Sequence, residues 1–396
     1  MLRRTHGFDL CDGNGAVLFF DSYEASFMQD SMVTGRDGLG QAIWLFNTAF
    51  GEADFLDELD PQPIWGFHMD YQMSGTVVGG ASPEMEFYRI YNDTGTPIMS
   101  LYQRGDGLME IWNNGGSIAV SNILYPFVPG TWATLELYGT FSIGSDNTIE
   151  LRQNGVQIAK VTGVNWGIAG TAEFPYIMGF RWAGFGPPGI QVDNYIVYDG
   201  QVDGPQAIAT FTGRVRITSL YPQSELQTAW LRNANVVNYP NVADRPDAGY
   251  SGVPDGNGTY IYPPPSEADQ FFGIGRSPCY GLVLGLSVNF VAAPQDESYC
   301  TCDVLLQEQG TNYDLAEFDM DGPSNDGEAP GYSGYQVCLE TSPATSTNFV
   351  DGEISSAFWG LGSTVGTDFL VTQFFLEKVV DLTGKPYTCG QASYAY

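Results

Sequence analysis

Apolar and polar side chains alternate at every second position through much of the chain, the period of a β-strand that buries one face. The pattern predicts strands at residues 41–48, 64–73, 85–92, 97–104, 107–114, 117–122, 132–141, 174–182 and 191–199, with a further one at 16–23. The clearest signal is TIELRQNGVQIAKVTG at residues 148–163, two alternating runs joined by Asn154-Gly155. Both positions of such a turn need positive φ, which Asn and Gly tolerate, so a two-residue hairpin is expected. Its register places Ile149, Leu151, Val156 and Ile158 on one face and Glu150, Arg152 and Gln157 on the other. In residues 85–92, strict alternation sets Met85, Phe87, Arg89 and Tyr91 against Glu86, Tyr88, Ile90 and Asn92.

The second half repeats the habit with fewer, longer runs. Val215 and Ile217 alternate with Arg214, Arg216 and Thr218, and residues 280–293 read as a buried strand. Residues 300–309, 332–341 and 367–381 add further strands; Val and Phe dominate the last, which favours strand over helix. Turn composition at residues 200–205 divides the chain into an N-terminal arm (1–15), a first domain (16–204) and a second β-rich domain (205–396). The second carries a Pro/Gly/Asn-rich stretch at 238–266, read as ordered loop because Tyr250, Tyr260 and Tyr262 are unusual in a solvated linker. The fold class is all-β: a jelly-roll sandwich followed by a sandwich-like domain.

Composition agrees. The chain has 396 residues, 49 of them glycine and 23 proline, which suits short strands and tight turns. Net charge is −31, a field that repels phosphate backbones and anionic lipid, so neither nucleic acid nor a membrane surface is an expected partner. No apolar stretch approaches 18 residues and no signal peptide is legible, so a soluble protein is expected.

Candidate chemistry is sparse. Glu58-Leu59-Asp60 begins a glucanase-like acidic strand but Pro61 and Pro63 break it, and Glu84-Met85-Glu86 leads to Arg89 rather than an acid. With His6 and His68 as the only histidines, a Ser-His-Asp triad is hard to build, and no enzyme is expected. Acidic loops around Asp54, Asp57, Glu58 and Asp60 and around Asp319, Asp321, Asp326 and Glu328 are solvated or hold calcium, the one cofactor considered. Asp193 sits inside an apolar strand and needs a partner, either Arg181 or Arg152 or a calcium ion. Cys279, Cys300, Cys302, Cys338 and Cys389 are disulfide candidates, with buried thiols the competing reading; a bond between Cys300 and Cys302 would be strained. Tryptophans and tyrosines crowd the first domain, and Trp112 beside Asn113 and Asn114 is the candidate sugar-stacking site.

The segments PGTWATLELYGTF, TIELRQNGVQIAKVTG and IQVDNYIVYDG, in that order, resemble the concanavalin A-like or laminin G-like lectin domain. The continuation, with Gly213-Arg214-Val215-Arg216, Leu220-Tyr221-Pro222, Trp230, Asn238-Tyr239 and Asp244 to Tyr250, resembles minor structural proteins of bacteriophage virions. That resemblance implies a non-enzymatic tail appendage or capsid decoration protein, assembled in the host cytoplasm and carried on the virion. Its implied partners are other virion proteins, itself included (a trimer for instance), and a host-surface glycan. A free glycan-binding module or a divergent β-glucanase is the alternative.

Overall fold

A computed structural model describes residues 2–7, 22–36, 41–73, 83–92, 94–122, 128–167, 177–185, 189–200, 212–227, 230–232, 242, 260–264, 268–276, 279, 281–294, 300–320, 333–363 and 369–383. The chain forms two compact units, divided between Val215 and Arg216 along the main run of sequence.

The first unit contains β1 (Leu2–His6), β2 (Ser22–Thr34), β3 (Gln41–Glu58), β4 (Ile64–Met73) and β5 (Pro83–Tyr91). It continues with β6 (Pro97–Arg104), β7 (Met109–Asn113), β8 (Gly116–Val120) and β9 (Ala133–Thr140). The hairpin β10 (Asn147–Gln153) and β11 (Val156–Val164) follows, then β12 (Ile177–Phe185) and β13 (Ile190–Tyr198). All pair antiparallel along one path, β11-β10-β9-β4-β13-β3-β12-β5-β6-β7-β8, with β1 beside β13 and β2 beside β3. Leu2–His6, within the segment read as an arm, is thus a sheet strand.

The path folds over at β3. This strand of 18 residues pairs with β13 near its start and with β12 along its second half. Phe67 of β4 therefore meets Tyr88 of β5 at 4.1 Å, and Tyr71 meets Phe87 edge-on at 5.6 Å, although four steps of the path separate their strands. The two ends also meet, since the Asn122 N–H donates to the Ile158 carbonyl at 2.7 Å. The result is a two-leaf sandwich with Trp65, Phe67, Tyr71, Leu135, Leu137, Leu151, Leu101 and Ile111 buried.

The hairpin at Asn154-Gly155 forms as read, with φ of 51° and 76°. Val156 keeps its expected face, opposite Gln153 and in phase with Leu151, but at the hairpin tip it is exposed. In β5, strict alternation also fails. Shifts between Glu86 and Tyr88 and between Ile90 and Tyr91 let both Phe87 and Tyr88 bury, and leave Glu86 and Arg89 together on the outer face.

The second unit contains β14 (Val215–Leu220), β15 (Pro222–Gln227), β16 (Leu231–Arg232), β17 (Ile261–Tyr262), β18 (Ala268–Ile274) and β19 (Leu282–Pro294). After these come β20 (Cys300–Glu308), β21 (Thr311–Met320), β22 (Ser333–Leu339), the short helix α1 (Asp351–Ser356), β23 (Phe358–Ser363) and β24 (Phe369–Asp381). One sheet runs β16-β17-β24-β19-β22 and the other β15-β18-β23-β20-β21. They share a core in which Phe272 meets Phe374 at 5.2 Å and Phe290 meets Phe318 at 5.6 Å. Phe369–Asp381 is a strand rather than a helix, as its β-branched and aromatic content implies. Of the Pro-rich stretch, only Val242 and residues 260–264 are described; Ile261 pairs with Val371.

Three disulfide candidates are corrected. Cys300, Cys302 and Cys338 carry thiols. Cys300 and Cys302 lie side by side on one strand face, about 6.6 Å apart by strand rise, whereas a disulfide needs Cβ atoms to converge within about 4.5 Å. Cys338 is on the opposite sheet, paired with Ser287. Burial, with Asp303 and Cys300 nearby, pushes the Cys302 thiol well up. Cys279 is disulfide-bonded, and Cys389 lies outside the described residues. The Cys279 carbonyl accepts the buried Lys378 ammonium at 2.7 Å, which also bonds Asp351 at the start of α1.

Candidate functional site

Two polar constellations stand on the outward faces of the first unit's leaves. On the first leaf, strands β9, β4 and β13 align Thr134, Asp70 and Asp193 in one row and set Glu136 opposite His68 in the next. Arg36, just past β2, reaches the face: its guanidinium bonds Asp70 and, at 2.6 Å, Thr134, and its backbone N–H donates to Asp193 at 2.8 Å. A bulge at Asn194, where φ is 51°, turns that side chain so that its amide donates to Asp70 at 2.8 Å. Glu136 accepts the Thr212 hydroxyl at 3.0 Å and the Gly213 N–H at 2.9 Å, and Thr212 also bonds the His68 ring at 2.7 Å. Burial alone would raise the Glu136 carboxyl; His68, Gly213 and Thr212 together hold it below the usual range.

His68, Asp70 and Asp193 are fully buried. This network binds the segments at Arg36 and Thr212–Gly213 onto the sheet and presents no open face to a ligand. Asp193 thus finds a partner, but from Arg36 rather than the expected Arg152, which pairs with Glu150. The side chain of Arg181 lies outside the description. The first acidic run, read as a loop, is largely strand: Asp54, Asp57 and Glu58 lie on β3, and Asp57 is buried beside Arg4 at 3.3 Å. Among the described residues no group of three or more His, Cys, Asp or Glu is placed to hold a metal ion. Asp319 sits on β21 opposite Thr301, and Asp321, Asp326 and Glu328 lie outside the described residues.

The second constellation covers the outer face of β5 to β8. Their register aligns Glu86, Tyr102, Glu110 and Val120 in one row and Arg89, Ser100, Trp112 and Ser117 in the next. Met99, Leu101, Met109 and Ile111 alternate with these and are buried in the core, which turns the rows outward. Trp112 and Tyr102 are half-buried and meet edge-on at 5.6 Å. The indole nitrogen of Trp112 is buried, so the exposed part of the ring is its apolar portion. Ser117 donates to one oxygen of Glu110 at 2.5 Å, and the other oxygen has no hydrogen-bond partner.

Arg89 is committed twice over. It makes a two-point ion pair with Glu86, Nε donating at 2.6 Å, and its guanidinium lies 5.6 Å from the Tyr91 ring centre. Arg104, at the end of β6, pairs with Asp106 at 2.7 Å. Burial and the Glu86 charge push the Tyr102 hydroxyl up, keeping it a neutral donor.

Of the sequence-predicted site residues, Trp112 belongs to this platform. Asn113 holds the β7–β8 turn: its side-chain oxygen accepts the Gly115 N–H at 2.9 Å and its amide donates to the Asn165 carbonyl at 3.1 Å. Asn114 is exposed at the tip. Sequence reading missed Glu110, although its spacing of two from Trp112 places both on one strand face. It missed Arg36 with better cause, since nothing local ties a loop arginine to Asp70.

No protein-family model matches the chain, and no curated protein matches it in sequence. Solved structures overlap about half of it. Cellulose induced protein Cip1 is 13% identical with a TM-score of 0.36, covering 50% of this chain and 97% of its own. An endo-β-1,4-glucuronan lyase from Trichoderma reesei is 11% identical with a TM-score of 0.38, covering 50% and 96%. A galectin-like-fold protein from Bacillus subtilis is 11% identical with a TM-score of 0.33, covering 50% and 96%.

Proposed function

We propose that the first unit is a lectin-like glycan-binding module and that the protein is a non-enzymatic surface component of a bacteriophage particle, self-associating and attaching the particle to host glycans. The observation that carries the glycan reading is the paired Trp112 and Tyr102 rings on an outward sheet face, set among Ser100, Ser117 and Glu110. Sugars offer an apolar ring face and a rim of hydroxyls, and an aromatic platform flanked by short polar groups suits both. The particle reading is supported by the order of short motifs at residues 213–250 and by a net charge of −31, which suits a body that must not adhere unspecifically.

On a glycan array, the full-length protein is expected to bind a defined set of oligosaccharides, and Trp112→Ala to lose about 1–3 kcal/mol of binding, roughly five- to 150-fold. Retention of full binding by Trp112→Ala would remove this platform as the site. Antibody labelling of purified particles in electron microscopy tests the second half; unlabelled particles would refute it.

A further inference from the structure

Resting on the glycan-binding reading above, we infer that the platform selects uncharged glycans over acidic ones, and that Glu110 sets that choice. Recognition of a uronate, sialyl or sulfate group calls for an uncommitted cation, usually arginine in a two-point bond. Both described arginines on this face are already committed. Arg89 spends its fork on Glu86 and lies against Tyr91, and Arg104 pairs with Asp106. An acidic sugar would have to break one of these pairs to gain another.

The remaining charge works the same way. Glu110 lies beside Tyr102 across the strand pair and two residues from Trp112, and among the described residues its side chain accepts a hydrogen bond only from the neutral Ser117 hydroxyl. Its second oxygen is buried and lacks a hydrogen-bond partner, so its charge is poorly compensated where the aromatic rings would receive a sugar. A like charge brought onto those rings meets repulsion that partial burial strengthens. An uncharged sugar meets none. Since the Trp112 nitrogen is turned inward, the ring contributes stacking rather than a hydrogen bond.

The test is an array carrying uncharged, uronic-acid, sialylated and sulfated oligosaccharides, probed with full-length protein and with Glu110→Gln. Wild-type protein should bind uncharged oligosaccharides, and Glu110→Gln should raise the acidic-to-uncharged signal ratio about three- to tenfold. A second measurement needs no variant: raising salt from about 20 mM to about 300 mM should strengthen any residual wild-type binding to acidic probes, because screening relieves repulsion. Wild-type hits that are mainly acidic, or acidic binding that weakens with salt, overturn the selectivity while leaving glycan binding intact. An unchanged ratio in a folded Glu110→Gln protein overturns the role of Glu110. Failure to bind any probe rejects the glycan reading and this inference together.

Discussion

Arg36 and Asp70 show what a single buried pair does in the first unit. The Asp70 carboxylate is fully buried and receives Arg36, Thr134 and Asn194, so removing the arginine strands a charge that cannot reach water. Arg36→Met should cost about 3–5 kcal/mol, read as a shift in the urea midpoint; a cost under about 1 kcal/mol would place the pair among weak surface contacts. Glu136 makes a pH prediction. Its folded carboxyl is held below the unfolded value, so its stabilisation is present above that unfolded value and is lost as pH falls through the folded one. Urea midpoints measured from neutral pH downward should fall more steeply below about pH 4.3 in wild type than in Glu136→Gln. At this scale the sequence carried part of the answer. An acid inside an apolar strand announced that Asp193 needed a partner, but not which one, because Arg36 approaches through chain folding rather than local spacing.

At the scale of elements, the hairpin at Asn154-Gly155 is the most predictable piece, since both turn residues carry positive φ and the sequence supplies the two residue types that accept it. Gly155→Val should cost about 1–2 kcal/mol in chemical denaturation, with the rest of the sheet intact. Gly66 is held for another reason: a Cβ there would lie 2.4 Å from the Tyr198 ring packed across it. Period-2 alternation is a local property and made many strands legible, but β1, most of β2, β18, β21 and β23 were not marked by it. Faces were legible only where no bulge intervened. In β5, two register shifts bring Glu86 and Arg89 to one face and bury the neighbours Phe87 and Tyr88, which strict alternation had separated. The outer platform therefore had to be read from cross-strand register, and Trp112 alone of its members was marked in advance as a site residue.

At the scale of the molecule, the first unit is one antiparallel sheet folded onto itself and the second a pair of packed antiparallel sheets, as the abundance of glycine, proline and aromatic residues indicates. Cysteine pairing was not legible, since it depends on which strands the fold brings face to face. The Cys279 disulfide lies where its carbonyl receives Lys378, which in turn bonds the first residue of α1. Reductant should therefore lower the second unit's stability by about 2–5 kcal/mol, followed as a fall in its thermal midpoint. An unchanged midpoint after full reduction would show that the bond carries no weight in folding. Among the described residues, no helix is long and apolar enough to cross a membrane.

The 18-residue strand β3 has a mechanical consequence. It is laced to β2 along most of its length, to β13 near one end and to β12 over the other. Tension applied along it would load many ladder bonds in shear at the same moment, instead of peeling them open one after another. The sandwich should then resist traction up to a threshold and give way abruptly.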